Sequence, residues 1–101
     1  MASIAIPMGS TYTLVPVTQT KKVLTGGKGG AKGDYLRVLQ VMVITLGDTV
    51  VLFDGTTSIP IIDATTPPGL YNLQLGMNSV VGAWSVTTTG TATAIGIGNF
   101  S

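Results

Sequence analysis

Residues 34–58 read D-Y-L-R-V-L-Q-V-M-V-I-T-L-G-D-T-V-V-L-F-D-G-T-T-S, and no other stretch constrains the fold as strongly. The run Tyr35–Leu46 is rich in β-branched and large apolar side chains and holds neither glycine nor proline, a composition that favours a strand. Gly47-Asp48 follows, then a second run, Thr49–Phe53, then Asp54-Gly55. Glycine in first place suits a type II′ two-residue hairpin, and Asp-Gly is among the strongest short-range hairpin signals. The reading is a long strand that pairs back through Gly47-Asp48 onto Thr49–Phe53, with a second hairpin leading to Ser58–Ile62. Pro60 cannot donate to a ladder, so it marks an edge strand or a bulge.

The remaining segments extend this pattern. Met1–Pro7 is short and apolar, an arm or a first edge strand. Ser10–Val15 reads as a strand closed by Pro16, and Val17–Val23 either continues it after a kink or does not. Leu24–Gly33, L-T-G-G-K-G-G-A-K-G, has five glycines and is expected to be a mobile loop. Asp63–Gly69 is a turn cluster. Leu70–Leu75 reads as a strand with Tyr71, Leu73 and Leu75 on one face and Asn72 and Gln74 on the other. Gly76-Met77-Asn78 is expected to turn the chain. Val80–Thr87 is a strand with Val80, Trp84 and Val86 on one face. Thr91–Phe100 places Ile95 and Ile97 on one parity and Ala92, Ala94, Gly96 and Gly98 on the other, which implies close packing against the small residues. Many short strands with closely spaced turn signals predict an all-β fold. It should be a small antiparallel β-sandwich or barrel, jelly-roll-like, with about seven or eight strands and an extended N-terminal arm. The division expected is 1–33 for the arm or edge strand with the Gly/Lys-rich loop, and 34–101 for the body.

The chain is poor in reactive chemistry. It lacks histidine, glutamate and cysteine. Histidine is the usual general base, and cysteine supplies thiolates, disulfides and soft metal ligands. Asp48, Asp54 and Asp63 fall at predicted turns, where aspartate bonds local backbone. Asp34 opens a strand, and no spacing pairs two carboxylates in one cleft or spaces them for calcium. The Gly/Lys loop invites a phosphate-binding reading. However, Lys32 lies between Ala31 and Gly33 with no Ser or Thr after it, and a strand rather than a helix follows. No enzyme activity, cofactor or metal is expected. Trp84 reads as a core anchor, with a ligand platform as the alternative. No basic segment precedes the apolar residues of the N-terminus as in a secretory signal. The longest apolar run, Val38–Gly47, is about half of the ~20 residues a membrane helix needs.

Charge is scarce, at 9% of residues, against roughly 25% in ordinary soluble domains. Lys21, Lys22, Lys28, Lys32 and Arg37 are all the cations, and they are the candidate partner-binding residues. The lysines leave a polyanion contact as a lesser reading, with an acidic protein surface preferred to nucleic acid. From Ala64 to Ser101 there is no charged side chain. Such a stretch either wets itself with Thr, Asn, Gln and Ser or is covered by a partner. Tyr35–Leu46 is also apolar on both parities, so its second face is covered by its own chain or by a neighbour. A homo-oligomer is expected, a trimer being favoured, with no membrane contact.

Several stretches carry a resemblance: Asp54-Gly55-Thr56-Thr57-Ser58-Ile59-Pro60, Pro68-Gly69-Leu70-Tyr71-Asn72-Leu73, Gly82-Ala83-Trp84-Ser85-Val86-Thr87 and Gly98-Asn99-Phe100-Ser101. Over about residues 34–101 the chain resembles small β proteins of tailed bacteriophages, in particular capsid cement or decoration subunits that sit on the shell as trimers or dimers. The resemblance implies a virion structural protein without catalysis, located on the capsid surface and bound to the major capsid protein or another virion protein. It carries over no site residue. The alternative reading is a tail or fibre-tip module recognising a host glycan or receptor, which would expose Trp84 or the tyrosines in a shallow groove.

Overall fold

The computed structural model describes residues 11–101. Among them no helix forms, and eight strands make up two sheets: β1 (Thr11–Val15), β2 (Lys22–Val23), β3 (Tyr35–Val43), β4 (Thr49–Asp54), β5 (Thr57–Ile62), β6 (Gly69–Asn78), β7 (Trp84–Thr89) and β8 (Thr93–Asn99). One sheet has the order β1-β8-β3-β6 and the other β2-β7-β4-β5, with every pairing antiparallel. The pairing is nested: β4 with β5, β3 with β6, β2 with β7, β1 with β8. It is as though one long hairpin with its tip at β4-β5 were rolled up, so that the strands of each arm fall in alternate sheets while β4 and β5 stay together in one. That is the jelly-roll arrangement of two packed antiparallel sheets.

The hairpin expected through Gly47-Asp48 does not form. β3 stops at Val43, and residues 44–48 carry the chain from one sheet to the other. Asp48 shows why. Its carboxylate accepts from the backbone N–H of Ile44 (3.2 Å) and Thr45 (3.1 Å), closing the turn on itself. It also accepts from the N–H (3.0 Å) and hydroxyl (2.8 Å) of Thr91, which ties the turn to the β7–β8 connection. The second hairpin is present: Asp54 pairs with Thr57, and Gly55 takes the left-handed conformation the turn requires (φ 58). Pro60 lies in β5, at the edge of its sheet, next to a register shift opposite Val50 and Val51.

Two turns move. β6 continues through Gly76, Met77 and Asn78 instead of turning there, because a register shift against β3 absorbs the irregularity and leaves Gly76 at φ 61. Val80 does not share a strand with Trp84. β7 begins at Trp84, and the N–H groups of Val80, Val81 and Gly82 donate to the Asp54 carboxylate at 3.0, 3.0 and 3.2 Å. Those bonds hold residues 80–82 in a loop and leave Val80 and Val81 exposed.

The body does not begin at Asp34. β1 pairs with β8 and β2 with β7, so residues 11–25 belong to both sheets. Thr88 pins the crossing between β1 and β2, donating its hydroxyl to the Pro16 carbonyl (2.8 Å) and accepting from the Gln19 N–H (3.0 Å). Val15 and Leu24 are fully buried. A Cβ at Gly96 would stand 2.7 Å from Leu24 Cδ1, so Leu24 fills the space left by the small-residue face of β8. The first part of the expected arm, Met1–Ser10, lies outside the described residues.

The Gly/Lys segment is irregular, as its glycines predict, but it is not a free linker. The N–H groups of Gly26 (2.8 Å) and Gly30 (3.0 Å) and the Thr25 hydroxyl (2.7 Å) all donate to the Ser101 carbonyl. Asp34 closes the clasp, accepting from Ala31 N–H (2.9 Å), Ser101 N–H (3.0 Å) and Ser101 hydroxyl (2.9 Å). Beneath this clasp Trp84 is 2% exposed, and its indole N–H donates to the Asp34 carbonyl at 2.9 Å. It is a core anchor and cannot serve as a surface platform.

Candidate functional site

The outer face of the β1-β8-β3-β6 sheet departs from what strand burial normally produces. In β3 the ladders on both sides shift register between Leu36 and Val38. The shift places Leu36 and Leu39, three residues apart, together in the core with Val41 and Val43. Val38, Gln40 and Met42 line the outer face beside Arg37. This resolves why both parities of the strand read as apolar: the core takes from one parity before the shift and from the other after it.

β1 and β8 are inverted. Tyr12 and Leu14 point to solvent, each 57% exposed, while Thr13 turns inward to exchange hydrogen bonds with Thr25. In β8 the buried positions are Ala94, Gly96 and Gly98, and the larger Ile95 and Ile97 face outward, half-buried. Leu70 in β6 is 65% exposed and Met42 43%. The four strands carry a single charged side chain, Arg37. The face has two shallow hollows. One, of ≈ 360 Å³, is polar at its rim, with Tyr35, Arg37, Gln40, Asn72 and Gln74. The other, of ≈ 230 Å³, is lined mainly by Met42, Leu70, Thr93 and Ile95.

The other sheet has an ordinary wet face. By strand alternation its outward positions include Thr49, Val51 and Phe53 of β4 and Thr87 and Thr89 of β7. The Thr87 hydroxyl accepts from Lys21 N–H (2.9 Å), and the Lys21 ammonium stands over the Phe53 ring at 4.6 Å. The charge-free stretch after Ala64 therefore has two solutions: hydroxyl side chains cover its part of this sheet, whereas apolar side chains remain open on the other.

The five cations do not gather into one patch. Lys21 sits on the outer face of the second sheet, and Lys22 lies on β2. Lys28 and Lys32 are exposed in the clasped loop, and Arg37 lines the polar hollow of the first sheet. The aspartates are equally dispersed, and among the described residues no three acidic side chains come together to hold a metal. Sequence reasoning missed Tyr12, Leu14 and Leu70 as surface groups. Their signal was indirect: Tyr12 and Leu14 alternate with threonine and would ordinarily be assigned to the core side.

Each aspartate is held below its ordinary pKa. At Asp34 and Asp54 burial pushes the value up, but it is outweighed by hydrogen bonds, from Ser101 and Ala31 to the first and from Val80, Val81 and Gly82 to the second. At Asp48 the Thr91 N–H leads the lowering, and at Asp63 the Thr65 hydroxyl does. A carboxyl whose pKa is depressed by folding contributes stability above its unfolded pKa and loses it as the pH falls through the folded value. Stability should therefore hold flat through neutrality, where the absence of histidine removes the usual titrating side chain, and fall from about pH 4 downward. Urea midpoints measured between pH 2 and 8 check this, and a loss of stability beginning above pH 5 would contradict it.

No family model, curated protein or solved structure matches the chain.

Proposed function

We propose that the protein is a non-enzymatic structural subunit that docks through the outer face of the β1-β8-β3-β6 sheet onto a larger protein shell. In its specific form it is a cement or decoration protein on the head of a tailed bacteriophage. The observation that carries the reading is the inverted face: Tyr12, Leu14, Met42 and Leu70 are turned to water on strands with one charge among them. Contiguous apolar surface of this kind marks an interaction site, and its burial is worth roughly 25 cal/mol per Å² before association costs. The resemblance of residues 34–101 to phage virion proteins supports the choice of shell. The jelly roll is used by capsid proteins and lectins alike, so it supports the choice only by analogy.

The test is co-sedimentation with purified phage heads lacking the protein. The wild-type chain is expected to pellet with the heads, and Leu14→Asp combined with Met42→Asp should weaken binding at least tenfold while the fold persists, since both side chains are exposed. Equal binding by the double variant would overturn the assignment of the face.

A second reading rests on one observation. The polar hollow brings a tyrosine, an arginine and three side-chain amides together, Tyr35, Arg37, Gln40, Asn72 and Gln74, a set that suits a sugar ring. A glycan array probed with the wild type and Arg37→Ala decides it. Arg37-dependent sugar binding without head binding favours the fibre-tip module.

A further inference from the structure

Each sheet has two edges. Among the described residues β2 is two residues long, β1 runs five, half the length of β6, and β5 carries Pro60. Short strands and proline are the ordinary defences against edge-to-edge pairing. The fourth edge, β6, has none. It runs ten residues, G-L-Y-N-L-Q-L-G-M-N, with no charge and no proline. Among the described residues no strand neighbours its far side, which leaves a row of backbone N–H and C=O groups open there.

The sandwich is also open along that flank. The apolar side chains that pack on the core while only partly buried are Ile59, Ile61, Tyr71, Leu73 and Leu75, and all five lie on β5 or β6. At the opposite flank Val15, at the end of β1, and Leu24, just after β2, are closed off completely. An unpaired edge and a half-open apolar row thus coincide on one side of the molecule.

We propose that this flank is a homotypic interface: β6 pairs antiparallel with β6 of a second copy about a two-fold axis, joining two four-stranded sheets into one of eight. A strand is self-complementary only about such an axis. The absence of charge suits self-pairing, because like charges directly opposite each other are unfavourable and β6 has none to place there. With the axis through Leu73, Asn72 of each copy faces Gln74 of the other and can hydrogen-bond to it, and the two half-open apolar rows cover each other. The two-fold contact uses the β6 edge of both copies, so it closes on itself at the dimer rather than growing into a fibre. A strand of this length spans about 33 Å, and packed sheets stand about 10 Å apart, which sets the width of the open strip between β5 and β6. The flank therefore buries on the order of 700 Å² over both copies, well under the ~1,600 Å² of a standard stable interface. The dimer is accordingly weak in dilute solution and forms where the protein is locally concentrated. On this proposal the oligomer is two-fold, where the sequence reading favours a trimer; sedimentation decides between them.

Sedimentation velocity on the full chain from 1 to 300 µM, as rough bounds for a weak interface, tests this. The wild type is expected to move from monomer to dimer within that range and to form nothing larger. The double variant Asn72→Lys/Gln74→Lys, at exposed positions of β6, sets lysine opposite lysine on both sides of the axis and should weaken the dimer at least tenfold, with Trp84 emission unchanged as the sign of an intact fold. Leu14→Lys, on β1, should leave self-association intact. A wild type that stays monomeric, a β6 double variant that still dimerises, a trimer, or loss of the dimer only with Leu14→Lys would each overturn the proposal. Head binding is a separate measurement, so the flank can fail while the sheet face stands, and the reverse.

Discussion

Trp84→Ala is expected to destabilise the protein by about 3–5 kcal/mol, the cost of emptying an aromatic site in a packed core. The indole is 2% exposed and fills the space beneath the Asp34–Ser101 clasp. Its N–H also donates to the Asp34 carbonyl, the same residue whose carboxylate holds Ser101 and Ala31. The substitution therefore removes packing and a tie to the clasp together. Domains of this size retain roughly 5–15 kcal/mol in total, so the variant should be folded only marginally at room temperature. Urea unfolding followed by far-ultraviolet circular dichroism reads the change as a midpoint lowered by about 1–3 M. Trp84→Phe, which keeps a ring but drops the donor, should lose less, since the Asp34 carbonyl still accepts from Ser79 N–H at 2.9 Å. A near-native midpoint for the alanine variant would show that the site collapses around the loss or that the ring is not part of the core.

Deleting residues 1–33 should abolish folding. The truncation removes β1 and β2, the edge strands that close one flank, and with them Val15 and Leu24, both fully buried. Leu24 alone occupies the space over Gly96, and truncating a leucine at such a site costs about 2–5 kcal/mol. The deletion also strips the Ser101 carbonyl of Thr25, Gly26 and Gly30, and the Asp34 carboxylate of Ala31. It leaves Thr88 without Pro16 and Gln19. These losses together exceed the stability of an ordinary domain. The expected result is a chain of residues 34–101 without a cooperative thermal transition. A truncated protein that unfolds cooperatively and keeps Trp84 protected would show that the two-sheet body is self-sufficient from Asp34.

The four aspartates were the most legible residues. Asp48, Asp54 and Asp63 read as turn residues because a short carboxylate reaches nearby backbone N–H groups, and Asp48 and Asp63 make such bonds within their own turns. What adjacency could not reveal was how far those bonds reach. Asp54 lies at a hairpin but binds the amides of residues 80–82, and Asp48 binds Thr91. The candidate surface was legible only in outline. The missing charge after Ala64 and the doubly apolar β3 indicated that something apolar stays uncovered. The register shift at Arg37 and the inversion of β1 and β8 decided which side chains those are. Lys28 and Lys32, singled out for their clustering along the chain, decorate a loop that is tied down by its backbone.

By itself the sequence determined the class of structure. β-branched and threonine-rich runs without helix formers, cut by Gly, Pro and Asp at short intervals, leave strands and turns as the only economical backbone states. The Asp54–Thr57 hairpin, the edge position of Pro60 and the buried Trp84 follow from local geometry and side-chain volume. Only the tertiary structure decided how the strands are partnered. A five-residue turn can return a strand to its neighbour or throw it across to a second sheet, and the choice at residues 44–48 rests on Thr91, which is far away along the chain. β1 finds β8 across most of the chain length, where no short-range signal operates. The same holds for inside and outside. When both parities of a strand are apolar, alternation names two faces but not which one the core takes. Here the core is set by what stands opposite: Leu24 over the small residues of β8 draws that side inward and leaves the isoleucines facing out.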